Sequence, residues 1–315
     1  MRPGLLQLCP LPPFVESALQ ARFAVTRWWE VPAPDAWLAA QAGEVMAGEI
    51  QAIATSGHVG VPAPLLSGLP ALEIIAIHGV GYDRIDLELA RSRGVKVANT
   101  PDVLTDDVAD LAIGLMIAAA RTLPGADAFV RLGGWPEATL PLGRRISGRR
   151  YGILGLGRIG AAIARRLEGF GGEIAYAARS AKPVPYRRFD TPLELARWSE
   201  VFIVACSASA ADAPIVDRAV IEAVGPQGLL INIARGGLVD EAEMIAALRG
   251  GRLGSAALDV FQDEPNVPDA LRQAPNVVLT PHIGSATTET RRAMAELMLA
   301  NLDAWLTGQP LLTQV

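Results

Sequence analysis

The chain has 315 residues, long enough for two domains at roughly 100–200 residues each. Half of the residues are apolar and 19% are charged, which supplies a buried core and excludes a disordered chain. Lys and Arg number 28 against 33 Asp and Glu, so the net charge of −5 leaves no basic surplus for a phosphate backbone and argues against a nucleic-acid partner. The two cysteines, Cys9 and Cys206, build neither a disulfide framework nor a four-ligand zinc site. They read as reduced thiols of a cytoplasmic protein, and no metal site is expected.

The N-terminal apolar run is broken by Pro10, Pro12 and Pro13, which makes it a poor signal peptide. Short apolar runs at 5–9, 50–54, 73–78 and 95–98 predict buried strands, and 14–22 and 86–92 have helical spacing. This alternation predicts a parallel sheet of βαβ units. Residues 103–121 are apolar on nearly every face and predict a long, deeply buried helix. Its nearly apolar core, 108–120, is too short to span a bilayer, which needs ~20 residues. The stretch 131–149, rich in Gly, Pro and Arg, reads as an exposed excursion. A second set of strands is predicted at 151–154, 173–177, 201–206, 229–233, 255–258 and 277–279. A final helix is predicted over 286–306, with Thr287 or Thr288 near its cap.

Residues 152–160 read GILGLGRIG, so Gly155, Gly157 and Gly160 form G-x-G-x-x-G between a predicted strand and a predicted helix. In that context the first glycine makes the turn, the second admits a pyrophosphate and the third lets helix and strand pack. The pyrophosphate would lie on the helix N-terminus. A purely structural glycine turn is the competing reading. About 20 residues on, where an acid would hold the ribose 2′-hydroxyl of NAD, the chain reads AARSAKP. Arg179, Ser180 and Lys182 stand there without an acid, which favours the 2′-phosphate of NADPH. Alternatively, Arg179 and Lys182 are solvated loop charges.

Three segments after predicted strands carry candidate chemistry. Arg235 lies in NIARGGLVDE, Asp259 and Glu264 in LDVFQDEP, and His282 in TPHIGSAT. In doubly wound sheets the carboxyl ends of the strands meet at one crevice. Read singly, His282 is as much a structural as a functional histidine, Glu264 an ordinary loop acid and Asp259 a strand-end cap. Arg235 followed by two glycines is harder to explain structurally. His78 ends a strand, His58 reads as a loop residue, and Trp135 reads as a surface aromatic. Cys206 reads as a small buried hydrophobe rather than a nucleophile.

Together with HGVGYDRID (78–86), NTPDVLTDDVADLAIGLM (99–116), PHIGSATTETRRAMAE (281–296) and the tail GQPLLTQV, these motifs resemble the D-isomer-specific 2-hydroxyacid dehydrogenases over nearly the whole chain. Within that family the likeness is to glyoxylate/hydroxypyruvate reductases and plant hydroxyphenylpyruvate reductases. The resemblance implies two doubly wound α/β domains: a substrate-binding domain from 1–98 and 286–315, a dinucleotide-binding domain from 99–285, and a cleft between them. It implies Arg235, Glu264 and His282 as catalytic residues, with Val80 and Gly81 joining Arg235 and His282 at the substrate. Cofactor contacts are implied at Gly155, Leu156, Gly157, Arg158, Ile159, Arg179, Ser180, Cys206, Ile233, Ala234, Asp259 and Gly284.

The implied activity is NADPH-dependent reduction of glyoxylate and hydroxypyruvate by a homodimer. In such a reaction His282 is the general acid, Glu264 holds its other ring nitrogen, and Arg235 grips the substrate carboxylate. The 105–121 helix and the following excursion resemble the family's dimerisation region. In related reductases an aromatic at the place of Trp135 reaches the neighbouring subunit. The stretch CSASAADAPIVD (206–217) departs from the pattern, with Ser207 for a proline and Asp212 for a threonine. The alternatives are a reductase of bulkier aromatic 2-oxo acids and a dinucleotide-sensing corepressor-like binding protein.

Overall fold

The computed structural model describes residues 2–41, 50–207 and 213–315; Asp212 lies outside them. Its strands in chain order are β1 Gly4–Gln7, β2 Ala24–Arg27, β3 Ile50–Ser56, β4 Ile74–His78, β5 Lys96–Ala98, β6 Arg150–Leu154, β7 Glu173–Ala177, β8 Arg187–Phe189, β9 Val201–Val204, β10 Leu229–Asn232, β11 Ser255–Leu258 and β12 Val277–Leu279. The helices are α1 Pro13–Arg22, α2 Pro34–Gln41, α3 Ala63–Gly68, α4 Leu87–Ser92, α5 Thr105–Ala120, α6 Leu123–Arg131, α7 Arg158–Glu168, α8 Pro192–Trp198, α9 Arg218–Val224, α10 Glu241–Arg249, α11 Asp269–Arg272 and α12 Thr288–Leu306. Their starts follow capping chemistry. Thr191 and Glu194 form a capping box on α8, and the carboxylates of Asp86, Asp217 and Asp240 accept N–H groups from α4, α9 and α10.

The chain divides into two compact units, 1–103 with 288–315 and 104–287. Each is built on one parallel sheet covered by helices on both faces. In the first unit the strand order is β2-β1-β3-β4-β5. Alternate residues enter opposite cores. Leu6, Ile53, Ile75 and Ile77 pack with Leu65, Leu66 and Ala90 of α3 and α4. Leu5, Ala52, Ile74 and Ala76 pack with Val15 and Leu19 of α1 and with Met298 and Leu302 of α12. Such strands are buried on both faces and read as unbroken apolar runs.

The C-terminal tail is stitched to this sheet. Val315 N–H donates to Val97 O at 2.9 Å, and Thr313 Oγ1 donates to Asn99 O at 2.6 Å. Fully buried Asn301 serves Thr313 from α12, accepting its N–H at 3.1 Å and donating to Leu297 O at 2.9 Å.

The second unit has the order β12-β11-β10-β9-β6-β7-β8, all parallel. The chain runs outward from β6 through β7 to β8, then restarts on the other side with β9. The switch point therefore lies between β6 and β9, where such sheets open a crevice at the carboxyl edge.

The structure corrects several boundaries. The first strand ends at Gln7 rather than residue 9, and the 201–206 strand ends at Val204, so Cys9 and Cys206 lie beyond their strands. Helix α12 starts at Thr288, two residues later than expected. Helix α5 buries one stripe, Val108, Ala112, Leu115, Met116 and Ala119, against α7 and β10–β12. Its other face, with Ile113, Gly114 and Ile117, is half-buried or exposed, so it is not enclosed all round. Beyond α6, the stretch to 149 is mostly exposed, as its composition indicates, with Leu132 85%, Trp135 70% and Leu142 100% exposed. Among the described residues no single helix is long and apolar enough to cross a membrane.

Candidate active site

At the carboxyl edge of the second sheet, β6 runs into the glycine loop and α7 begins immediately at Arg158. Gly155 has φ +96°, and a Cβ there would lie 2.4 Å from the Cys206 Cα. A Cβ on Gly160 would lie 2.0 Å from the Gly155 carbonyl oxygen. These two glycines are therefore demanded by backbone approach. A Cβ on Gly157, by contrast, meets nothing within 4 Å. The loop beneath the N-terminus of α7 is thus open at the glycine whose place an anion would occupy. Leu156 is buried below it.

Arg179 and Ser180 follow β7 and are exposed. Cys206, just past β9, is half-buried; burial pushes its thiol up, with the Arg179 charge only a smaller opposing influence. The Lys182 N–H donates to the Tyr176 hydroxyl at 2.9 Å, which turns the chain back before β8.

The β10 end is organised by buried Asn232, which accepts the Ala234 N–H at 3.1 Å and donates to the Arg235 carbonyl at 2.9 Å. The turn bearing Arg235 is pressed on the next loop, because a Cβ on Gly236 would lie 1.9 Å from the Phe261 carbonyl carbon. Gly236 therefore has a packing cause, contrary to the sequence expectation that the two glycines are hard to explain structurally, whereas a Cβ on Gly237 meets nothing within 4 Å. Ile233 is buried beside it and Ala234 half-buried.

Past β11 and β12, two carboxylates divide the labour. Glu264 Oε2 lies 2.8 Å from His282 Nδ1, while Glu264 Oε1 accepts the Phe261 N–H at 3.0 Å. Both side chains are 23% exposed. Asp259, only 1% exposed, turns inward instead. Its Oδ1 accepts from Thr280 Oγ1 at 2.6 Å and from the Ile283 N–H at 2.8 Å, and its Oδ2 accepts the Gly284 N–H at 2.9 Å. This carboxylate holds the 280–284 turn, in which His282 has φ +52°, a conformation rare for a residue with a side chain. The structure thus brings His282 and Glu264 into contact and gives Asp259 and Gly284 partners within the protein. Asn232 and Thr280 escaped the sequence reading; a polar residue at the end of an apolar strand was the only available signal.

In the first unit Val80 and Gly81 follow β4. The turn is pinned by a mutual bond between Gly79 and Thr100 and by Asn99 Nδ2 donating to Val80 O at 2.8 Å. Among the described residues the N–H groups of Val80 and Gly81 find no acceptor. His78 is buried at the end of β4, whereas His58 is exposed.

Residues 113–284 match the family model "D-isomer specific 2-hydroxyacid dehydrogenase, NAD binding domain". Hydroxyphenylpyruvate reductase of Plectranthus scutellarioides is 47% identical over 99% of this chain and 98% of its own length. Glyoxylate/hydroxypyruvate reductase A of Arabidopsis thaliana has the same identity and coverage. Among solved structures, the NADPH-dependent glyoxylate/hydroxypyruvate reductase of Sinorhizobium meliloti, in complex with NADP and malonate, superimposes with a TM-score of 0.92. It is 42% identical, covering 100% of this chain and 97% of that one. A match across more than half of the chain and relatives this similar over its full length establish membership: the protein belongs to the D-isomer-specific 2-hydroxyacid dehydrogenase family.

Proposed function

We propose that this protein reduces small 2-oxo acids, glyoxylate and hydroxypyruvate, to glycolate and D-glycerate with NADPH. The unit 104–287 would bind the dinucleotide and the other unit the oxo acid. The observation that carries the reading is the contact between Glu264 and His282 at the carboxyl edge of a sheet whose glycine loop suits a pyrophosphate. The Arabidopsis relative is named for these two substrates, and the Sinorhizobium enzyme for both and for NADPH.

The dinucleotide fits the residues present. The open space at Gly157 and the N-terminus of α7, which no side chain caps, suit its pyrophosphate, with Leu156 in the loop and Arg158 and Ile159 opening the helix. Arg179 and Ser180 would hold the 2′-phosphate, and Ile233, Ala234 and Cys206 would line the nucleotide. When bound, the cofactor supplies the hydride.

The chain's own residues handle charge and proton. Arg235 binds the carboxylate and polarises the ketone, and in the other unit the N–H groups of Val80 and Gly81, which have no acceptor among the described residues, suit a carboxylate. With Nδ1 held by Glu264, His282 turns its Nε2 toward the substrate oxygen and delivers the proton as the alkoxide develops. Asp259 keeps that imidazole in place through the 280–284 turn.

The exposed apolar residues Leu132, Trp135 and Leu142 would form the contact of a homodimer, which sedimentation of the wild type and a Trp135→Glu variant tests. A second reading, reduction of bulkier aromatic 2-oxo acids, is favoured by the relative named for hydroxyphenylpyruvate. Following NADPH and NADH oxidation at a panel of 2-oxo acids decides between them. Highest kcat/KM with glyoxylate or hydroxypyruvate supports the first, highest with an aromatic acid supports the second, and no turnover with any acid leaves a binding protein.

A further inference from the structure

Helix α12 packs against β4, and its second turn carries an arginine that no proposed step uses. Arg291 is half-buried, yet among the described residues its guanidinium has no hydrogen-bond or ion-pair partner. A cation withdrawn from water without a carboxylate is costly and is kept where an anion comes to it. Its neighbour sharpens the point. Buried His78 donates its Nε2–H to the Arg291 carbonyl at 3.3 Å, tying this turn of α12 to the end of β4. Two residues beyond His78 begin the open N–H groups of Val80 and Gly81. The backbone of Arg291 is thus tied to the end of β4, its charge is felt at His78, and the unsatisfied amides begin two residues on, a combination that suits an anion. Burial holds both Arg291 and His78 below their ordinary values, and the Arg291 charge adds to the effect on His78. The imidazole is thus kept neutral beside the guanidinium and leaves it the one cation of the pair.

We propose that Arg291 is a carboxylate-recognition residue of the 1–103 and 288–315 unit, drawing the C1 carboxylate of the oxo acid onto the Val80–Gly81 turn. This rests on the reading of the protein as a 2-oxo acid reductase. Arg291 acts in binding and takes no part in the proton transfer assigned to His282, so it sets KM rather than kcat.

The test uses the full-length protein with Arg291→Leu, Arg291→Gln and Arg291→Lys. Oxalate, an unreactive dianion resembling glyoxylate, is titrated calorimetrically into the NADPH-loaded enzyme; glyoxylate and oxaloacetate are assayed in parallel. Arg291→Leu should weaken oxalate about tenfold or more and raise the glyoxylate KM similarly, the loss of one charge-assisted contact. Values of kcat should stay within about threefold, NADPH affinity should be unchanged, and Arg291→Lys should recover much of the loss, charge being retained. Arg291→Gln gives the same reading if the leucine variant does not fold. An effect confined to oxaloacetate would overturn the assignment to the C1 carboxylate. Unchanged oxalate affinity, or equal losses in oxalate binding, NADPH binding and melting temperature, would show a structural arginine. A wild type that binds oxalate but reduces no oxo acid would instead sink the proposed function while leaving carboxylate recognition at Arg291 readable.

Discussion

Glu264 holds His282 through one carboxylate oxygen, at 2.8 Å from Nδ1, and its own loop through the other, which accepts the Phe261 N–H. The two bonds make the orientation of the imidazole depend on a carboxylate with two acceptor oxygens. In Glu264→Gln one amide oxygen faces two donors, so either the ring or the Phe261 N–H loses its acceptor. We expect kcat for glyoxylate to fall by about 10² or more. His282→Asn, which removes the proton donor, should cost ~10²–10⁴ in kcat with NADPH affinity nearly unchanged. Wild-type turnover in either variant contradicts the assignment.

Asp259 offers a sharper distinction. Its oxygens accept three donors of the 280–284 turn from a position almost without solvent. Asn at 259 keeps one oxygen and points an amide N–H₂ at a donor, a mismatch costing ~1–3 kcal/mol. The Asp259→Asn variant should melt at a lower temperature and lose kcat as the His282 turn loosens. Measured NADPH affinity decides the role: unchanged affinity marks a residue that positions His282, and weakened affinity with intact kcat marks a cofactor ligand.

Cofactor choice is read at Arg179. It stands exposed where β7 ends, with Ser180 next to it and no acid in the turn. A guanidinium and a hydroxyl on a 2′-phosphate contribute ~1.5–3 kcal/mol per charge-assisted bond, less where solvent screens them. We expect kcat/KM to favour NADPH over NADH by about tenfold or more. Arg179→Ala should remove most of that preference by harming NADPH alone, and Arg179→Asp should invert it. Equal use of both cofactors by the wild type would mark these residues as surface charges.

Buried His78 makes stability depend on acid. Burial lowers its folded value below the ordinary 6.5. As pH falls, the unfolded chain takes up the proton first, so the folded state loses stability from about pH 6.5 downward until the folded group titrates too. Wild type should therefore lose stability between about pH 7.5 and 5.5 in urea unfolding, and His78→Gln should lose measurably less over the same interval. Parallel losses in the two proteins would assign the acid sensitivity elsewhere.

What could be read directly from the residues was local and periodic. The apolar runs of β3, β4, β6, β9, β10 and β11 announce strands buried on both faces, and Gly155, Gly157 and Gly160 announce the turn between β6 and α7, because each signal spans only a few neighbouring positions. The edge strands β2 and β8 were missed. Half-exposed Ala24–Arg27 and polar Arg187–Phe189 have no apolar run to betray them. Among the acids 259, 263 and 264, spacing gives no reason to choose a partner for His282. That choice belongs to the tertiary structure, which registers β12 beside β11, turns the Asp259 carboxylate inward onto the Ile283 and Gly284 N–H groups, and leaves Glu264 as the carboxylate at the ring. The same holds for Arg291, whose place beside β4 is set by the packing of α12, with 213 positions of chain between His78 and Arg291. Hydrogen bonds reach about 3 Å whatever the separation in sequence, so only the folded chain decides which distant groups satisfy one another and which are left open for a ligand.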